Sequence, residues 1–300
     1  MRRLLSVAFA GVIGLSTHAA AAPPPVFATE LPFRDCDGLI CIRAELDGEK
    51  ARTLFLDLGD PGSVLLTDAA KSIGWTLRPV ERNGKTRAGI FDGGEHRVVL
   101  GTLQARHSFT VIDRKLLGDH RPHADGSIAY EFFKDRILQI DYPHHRLRIS
   151  NVIDTPAVAA DGTAKLELIT FGKHGPPIVV GSGFSVNGKP LRAQIDTAYT
   201  GTLLIYDPAV PALGLTKQGA PTFFGYTDGG VNMLAGSAQS IGFGTQTLAK
   251  DPILYFVGEG SNPVHQPDGL FEGTVGNALF AHSVVTLDFH AMTLDVQPAG

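Results

Sequence analysis

The chain has 300 residues, 43% hydrophobic and 19% charged, with a formal net charge of −4. That is ordinary globular composition, of a length that suits two domains. It carries neither the basic excess that points to nucleic acid nor a long acidic or basic tail. With 35 glycines, 19 prolines and little helical periodicity, it reads as β-structure with many turns.

Met1-Arg2-Arg3 is a short basic start, Leu4 to Leu15 an apolar core, and Ala19-Ala20-Ala21 a run of small residues. This pattern predicts a signal peptide over residues 1–21 and an exported chain, periplasmic or secreted. An uncleaved anchor would want about 20 apolar residues. No later stretch is long or apolar enough to span a membrane, so no membrane attachment is expected after cleavage. Cys36 and Cys41 are the only cysteines, and an even count in an exported chain favours a disulfide stapling the first hairpin. Two free thiols or a metal pair are the other readings.

Ile40 to Leu46 alternates with period two and reads as a half-buried strand. Asp47-Gly48 is a favoured hairpin pair, and Ala51 to Asp57 is the return strand. The apolar run Leu54-Phe55-Leu56 ends on Asp57. A turn follows, Leu58-Gly59-Asp60-Pro61-Gly62, and then a second apolar run, Ser63-Val64-Leu65-Leu66. A strand that delivers a carboxylate into a tight turn needs partners for it, because a buried charge without them is costly. Thr67 or Asp68 caps a short helix that Gly74 stops. Asp92-Gly93-Gly94 reads as the tip of a mobile hairpin over a groove, or as a plain surface turn. Asp125 to Phe133 leads into the strand Arg136 to Tyr142, and Arg146 to Ile149 closes the set.

The set then recurs in order. Asn187-Gly188 repeats the hairpin pair. Ala193-Gln194-Ile195-Asp196-Thr197-Ala198-Tyr199-Thr200-Gly201-Thr202 repeats the Asp turn 139 positions on. Asp207, Pro208 and Gly214 cap, start and stop a second helix. Asp228-Gly229-Gly230 echoes Asp92-Gly93-Gly94, and Glu272 to Phe280 with Ser283 to Phe289 echoes the closing segment 147 positions on. Four echoes in register make an internal duplication. The predicted fold is all-β, with lobes of six to seven strands over residues 22–150 and 165–300, each with a short helix. Residues 151–164, rich in Ala, Asp, Thr and Pro, are the linker.

The two Asp turns with their downstream apolar-Gly segments resemble the retropepsin-like aspartic proteases, in the bacterial exported form with both lobes in one chain. The likeness covers nearly all of the mature chain. It implies two pseudo-symmetric β-barrel lobes and a catalytic pair, Asp57 and Asp196, that shares one proton and activates a water. Gly59, Ser63, Thr197, Ala198 and Thr202 would support the turns, and the two Asp-Gly-Gly segments would be flaps. Such a site needs no cofactor, no metal and no covalent intermediate. Its partner would be an extended peptide or unfolded protein in the interlobe groove, bound through the main chain. One chain carries both turns, which implies a monomer.

The sequence departs from the family pattern at four places. Leu58 stands where a Thr or Ser hydroxyl would brace the lobes. Ala198 replaces a Gly, Asp60 adds a third acid, and Ala129 stands where the second copy has Gly276. These departures keep a second reading open, a catalytically impaired peptide-binding protein. Each Asp capping its own turn is the plainest alternative. A weaker third reading is a metal hydrolase built on His120, His123 and Asp125.

Overall fold

A computed structural model describes residues 25–82, 84–117, 123–153, 163–170, 177–226, 229–257 and 270–299. The expected signal peptide and most of the expected linker lie outside these residues. Among them, strands dominate and the helices are short, Thr67–Ser72, Tyr130–Phe133 and Val210–Leu213, with brief 3-10 turns beside them. The architecture is all-β and two-lobed, as expected.

The first lobe is an eight-stranded sheet among the described residues, against the six to seven expected. At its centre the strand Arg52–Asp57 lies between Leu39–Leu46, antiparallel, and Gly126–Ala129, parallel. Val64–Leu66 pairs with the other edge of Gly126–Ala129 and with Leu103–Ile112. The sheet closes on itself where Glu45 and Leu46 pair with Val99 and Val98. The second lobe repeats this plan. Lys189–Ile195 lies between Pro177–Val186 and the parallel strand Gly273–Val275, whose other edge takes Leu203–Ile205. The duplication read in the sequence is therefore a duplication of pairings.

Local chemistry sets the hairpins. Asp47 and Gly48 both have positive φ, 53° and 82°, and so do Asn187 and Gly188, 50° and 77°. Two consecutive positive-φ residues make the turn whose twist matches the flanking strands. Asp37 and Gly38 do the same inside the Cys36–Cys41 disulfide loop, with φ 59° and 85°.

A shared layer joins the lobes. Its central pair, Ile137–Asp141 and Ser283–Asp288, is antiparallel, with Gln139 opposite Thr286. Thr286 is the counterpart of Gln139 in the second copy, and Gln139 Nε2 donates to Thr286 Oγ1 at 3.1 Å. An element that pairs antiparallel with its own copy across equivalent residues lies on a twofold axis. One buried apolar cluster runs from Leu54, Leu56 and Leu58 of the first lobe to Ile195, Leu203 and Leu287 of the second. The two lobes thus share one core.

Two expectations need correction. The helix caps are not the expected side chains. Thr67 Oγ1 donates to Asp113 Oδ1 at 2.9 Å, and Asp207 pairs with Lys217 at 2.5 Å, so both polar groups are engaged elsewhere. The glycine stops do occur, Gly74 and Gly214 having φ 76° and 67°.

The first Asp-Gly-Gly segment is not a hairpin tip. Arg82 pairs with Lys85 at the reversal of the hairpin Arg78–Arg82/Lys85–Leu100. Asp92, Gly93 and Gly94 lie in the interior of the long strand Lys85–Leu100, where the register with Leu103–Ile112 shifts. The sequence between Arg82 and Lys85 is Asn-Gly, the stronger hairpin signal. Asp92 instead holds a bulge, accepting from Gly94 N at 2.8 Å and from Arg78 at 2.7 Å. A Cβ on Gly93 would meet Val111 at 2.8 Å and the Phe109 carbonyl at 3.0 Å, so the bulge needs glycine for close approach. In the second lobe Gly229 and Gly230 do flank a reversal, opposite Tyr226 and Gly225. Asp228 lies outside the described residues.

Candidate active site

Asp57 is the last residue of its strand, and Asp196 directly follows its own. Each strand is held on both sides by the lobe's sheet, which aims the two turns at each other. Asp57 lies in register with Ala129 of the parallel neighbour. Asp196 N donates to the Val275 carbonyl at 3.0 Å.

The turns interlock. Thr197 is 2% exposed, and its hydroxyl accepts from Leu58 N at 2.9 Å and donates to the Leu56 carbonyl at 2.8 Å. Both partners belong to the Asp57 turn. Leu58 is fully buried and makes no side-chain bond in return, as its chemistry requires. Gly59 touches the opposite carboxyl so closely that a Cβ there would run into Asp196. This contact explains why that position takes glycine. Ala198 is accommodated, and its N–H donates to Asp196 Oδ1 at 2.8 Å, beside Tyr199 N at 3.2 Å.

The electrostatics follow from this packing. Desolvation is the largest influence on Asp57, and the charges of Asp196 and then Asp60 add to it; together they raise its proton affinity well above the ordinary carboxylate range. The N–H groups of Asp60 and Gly59 oppose the shift without cancelling it. Asp196 is also raised, first by burial and then by the Asp60 charge, against the N–H groups of Ala198 and Tyr199. Asp60 sits at the exposed rim, yet its carboxyl is desolvated enough to be raised itself, although Gly62 N donates to it at 3.0 Å. Burial and the neighbouring charges thus disfavour joint ionisation of the two carboxyls.

Folding stability should carry the mark of this pair. A carboxyl raised above its unfolded value binds protons in the folded state that the unfolded chain has lost. Stability is then full below about pH 4, near the ordinary value, and falls as pH rises towards the folded values. Asp57→Asn should match the wild-type melting temperature near pH 3. It should exceed it by at least about 2 °C near pH 7, since one kcal/mol moves a chain of this size by about 2–4 °C. Parallel melting curves across that range would contradict the shared proton.

The other expected residues divide. Ser63 is buried; its hydroxyl accepts from Ala129 N at 2.9 Å and meets His107 Nε2 at 2.7 Å. Its counterpart Thr202 points elsewhere and donates to the Ile253 carbonyl at 2.6 Å. His107 was not singled out from the sequence. The alternation Leu103, Ala105, His107, Phe109, Val111 carries the signal, because it sends His107 inward with its apolar neighbours. Burial pushes the imidazole down to about 4, so it is neutral at ordinary pH.

Asn277 and Gln194 were also missed. Asn277 Nδ2 donates to the Gly38 carbonyl at 2.9 Å and the Thr197 carbonyl at 2.6 Å, while Tyr142 Oη donates to Asn277 Oδ1 at 2.9 Å. One amide therefore ties the disulfide hairpin, the lobe junction and the Asp196 turn together. No short motif announces either residue, since their partners lie 135 to 239 positions away for the longest bonds.

Asp125, considered above for a metal, accepts from Thr53 N at 2.9 Å. Glu272 in the second copy accepts from Arg192 N at 2.7 Å in the same role. The pair is a repeated structural brace. His123 is exposed, His120 lies outside the described residues, and among the described residues no cluster of three or more His, Cys, Asp or Glu side chains is placed to hold a metal.

No family model matches the sequence, and no curated protein matches it. Among solved structures, the chain is similar to an aspartic proteinase from Irpex lacteus, with 13% identity and a TM-score of 0.49, over 91% of this chain and 97% of that one.

Proposed function

We propose that the protein is an exported aspartic-type endopeptidase that cleaves extended or unfolded polypeptide with Asp57 and Asp196. The observation that carries this reading is the interlocked pair of Asp turns, with Gly59 seated on the Asp196 carboxyl and the Thr197 hydroxyl bonded on both sides of Asp57, to the Leu56 carbonyl and to Leu58 N. A proton shared between the two acids leaves one carboxylate to take a proton from water and one carboxylic acid to donate to the scissile carbonyl oxygen. The attacking oxygen is that of the water, so no residue is acylated. Substrate would lie as a strand between the lobes, beneath the two hairpins, its main chain paired with theirs. Export, a monomeric working unit and kinship with the two-lobed retropepsin-like proteins belong to the same proposal. The Cys36–Cys41 disulfide supports export, because such bonds persist in oxidising compartments.

The test is incubation with a denatured protein between pH 3 and 7, with mass spectrometry of the products. New internal cleavages are expected, strongest on the acid side. Binding of the denatured protein without cleavage at any pH would favour the peptide-binding alternative that Leu58 raised.

A further inference from the structure

The brace between the Asp turns is one-sided. Thr197 makes two bonds into the first turn, and fully buried Leu58 returns none. The pseudo-twofold relation that pairs position 58 with 197 also pairs Phe55 with Gln194. Here too the polar partner is in the second lobe. Gln194 Nε2 crosses the lobe boundary and donates to the Gly59 carbonyl at 2.9 Å. We infer that Gln194 is a positioning residue for the catalytic pair, adding from the second lobe one more tie between the turns where the tie that a hydroxyl at position 58 would give is missing. The inference rests on the peptidase reading above.

Three observations carry it. First, the peptide that Gln194 grips is the sensitive one. Gly59 packs on the Asp196 carboxyl, and the N–H that shares a peptide with its carbonyl, that of Asp60, donates to Asp57 Oδ1 at 3.1 Å. A shift of Gly59 moves contacts to both acids at once. Second, the amide is itself oriented. Thr274 Oγ1 approaches Gln194 Oε1 at 3.5 Å, and Tyr206 Oη approaches Thr274 Oγ1 at 2.8 Å, both in the second lobe. With the oxygen turned to a hydroxyl donor, the NH2 end is left for the carbonyl of Gly59. Third, Leu58 and Phe55 have no group that could make the bond from the first lobe. Gln194 acts through Gly59.

A misplacement of about 1 Å costs an enzyme on the order of 100-fold in rate. Gln194→Leu should therefore lower kcat by about 10- to 100-fold, with KM changed by less than about threefold. Adding Leu58→Thr to that variant restores a hydroxyl at the mirror position and should recover at least about threefold of the loss. Gln194→Glu gives a signature that mere loss of packing would not. As a carboxylic acid it can donate to the Gly59 carbonyl; as a carboxylate it repels it. Its kcat relative to wild type should be near one at pH 4 and fall to the Gln194→Leu level by pH 7. Gln194→Leu within twofold of wild type, together with a Gln194→Glu ratio flat in pH, would overturn the inference. If Gln194→Leu does not fold, judged by near-UV circular dichroism, the pH course of Gln194→Glu decides alone.

Carboxyl-13C NMR titration of Asp57 separates this inference from the peptidase reading, because it needs no turnover. Loosening the Gly59–Asp60 peptide weakens the Asp60 N–H bond that favours the Asp57 carboxylate, so Asp57 should titrate at higher pH in Gln194→Leu. That movement in a chain that cleaves nothing would leave the positioning role standing and sink the peptidase. An Asp57 titration unmoved by Gln194→Leu would sink the positioning role whatever the activity.

Discussion

Asp57→Asn should abolish cleavage of unfolded protein by at least about a thousandfold, and Asp196→Asn should do the same, because groups that act as a unit fail as a unit. A neutral amide can neither take a proton from water nor share one with its neighbour. The double variant should be no worse than either single one. Chelators should leave the wild-type rate unchanged, since nothing in the proposed step uses a metal. Rates are read from fixed-time digests of a denatured protein at the wild type's best pH. Cleavage that persists in the double Asn variant would remove the mechanism. Strong inhibition by a chelator would instead revive a metal hydrolase.

Thr197→Val should cost about 2–6 kcal/mol of folding stability. The side chain keeps its shape and loses two bonds. Leu58 N and the Leu56 carbonyl are then left inside the lobe junction without a partner. Each buried group left unsatisfied costs about 1–3 kcal/mol. Thr202→Val is the control, because its hydroxyl bonds at the surface and the loss should stay within about 1 kcal/mol. Urea unfolding of the two variants decides it. Equal midpoints would mean that water or a shifted turn satisfies the Leu58 and Leu56 groups, and that Thr197 is no brace.

The disulfide hairpin and the Asn277 amide reach the candidate site. Cys36 and Cys41 close a loop whose Gly38 carbonyl receives Asn277 Nδ2, and the same amide holds the Thr197 carbonyl. A Cβ on Gly38 would meet Thr200 at 2.9 Å, so the hairpin tip rests against the Asp196 turn itself. The staple thus braces the junction between the lobes as well as its own hairpin.

Much of this was legible in the residues, for local reasons. Asp47-Gly48 and Asn187-Gly188 turn where they do because consecutive positive φ angles suit those residue types. The repeat was legible because the same short-range signals recur in the same order, and equivalent strands then find equivalent partners. Asp57 and Asp196 were marked by their placement at the ends of apolar runs. Where two local signals competed, reading them one at a time misled. Asp92-Gly93-Gly94 looked like a tip, but the chain reverses between Arg82 and Lys85, and the Asp-Gly-Gly segment forms a bulge against Val111 and Phe109.

The sequence by itself determined the all-β character, the duplication, the hairpin turns and the pair of Asp turns, because each depends on backbone preference and apolar spacing over a few residues. Tertiary structure decided what the turns touch. Nothing near Leu58 says that Gln194 and Thr197 will tie its turn to the second lobe, or that Ser63 will meet His107 and Thr202 will not meet its like. Those contacts join residues dozens to over a hundred positions apart. They are set by how two folded lobes pack on a shared core, where a buried donor takes whichever acceptor the packing brings within about 3 Å.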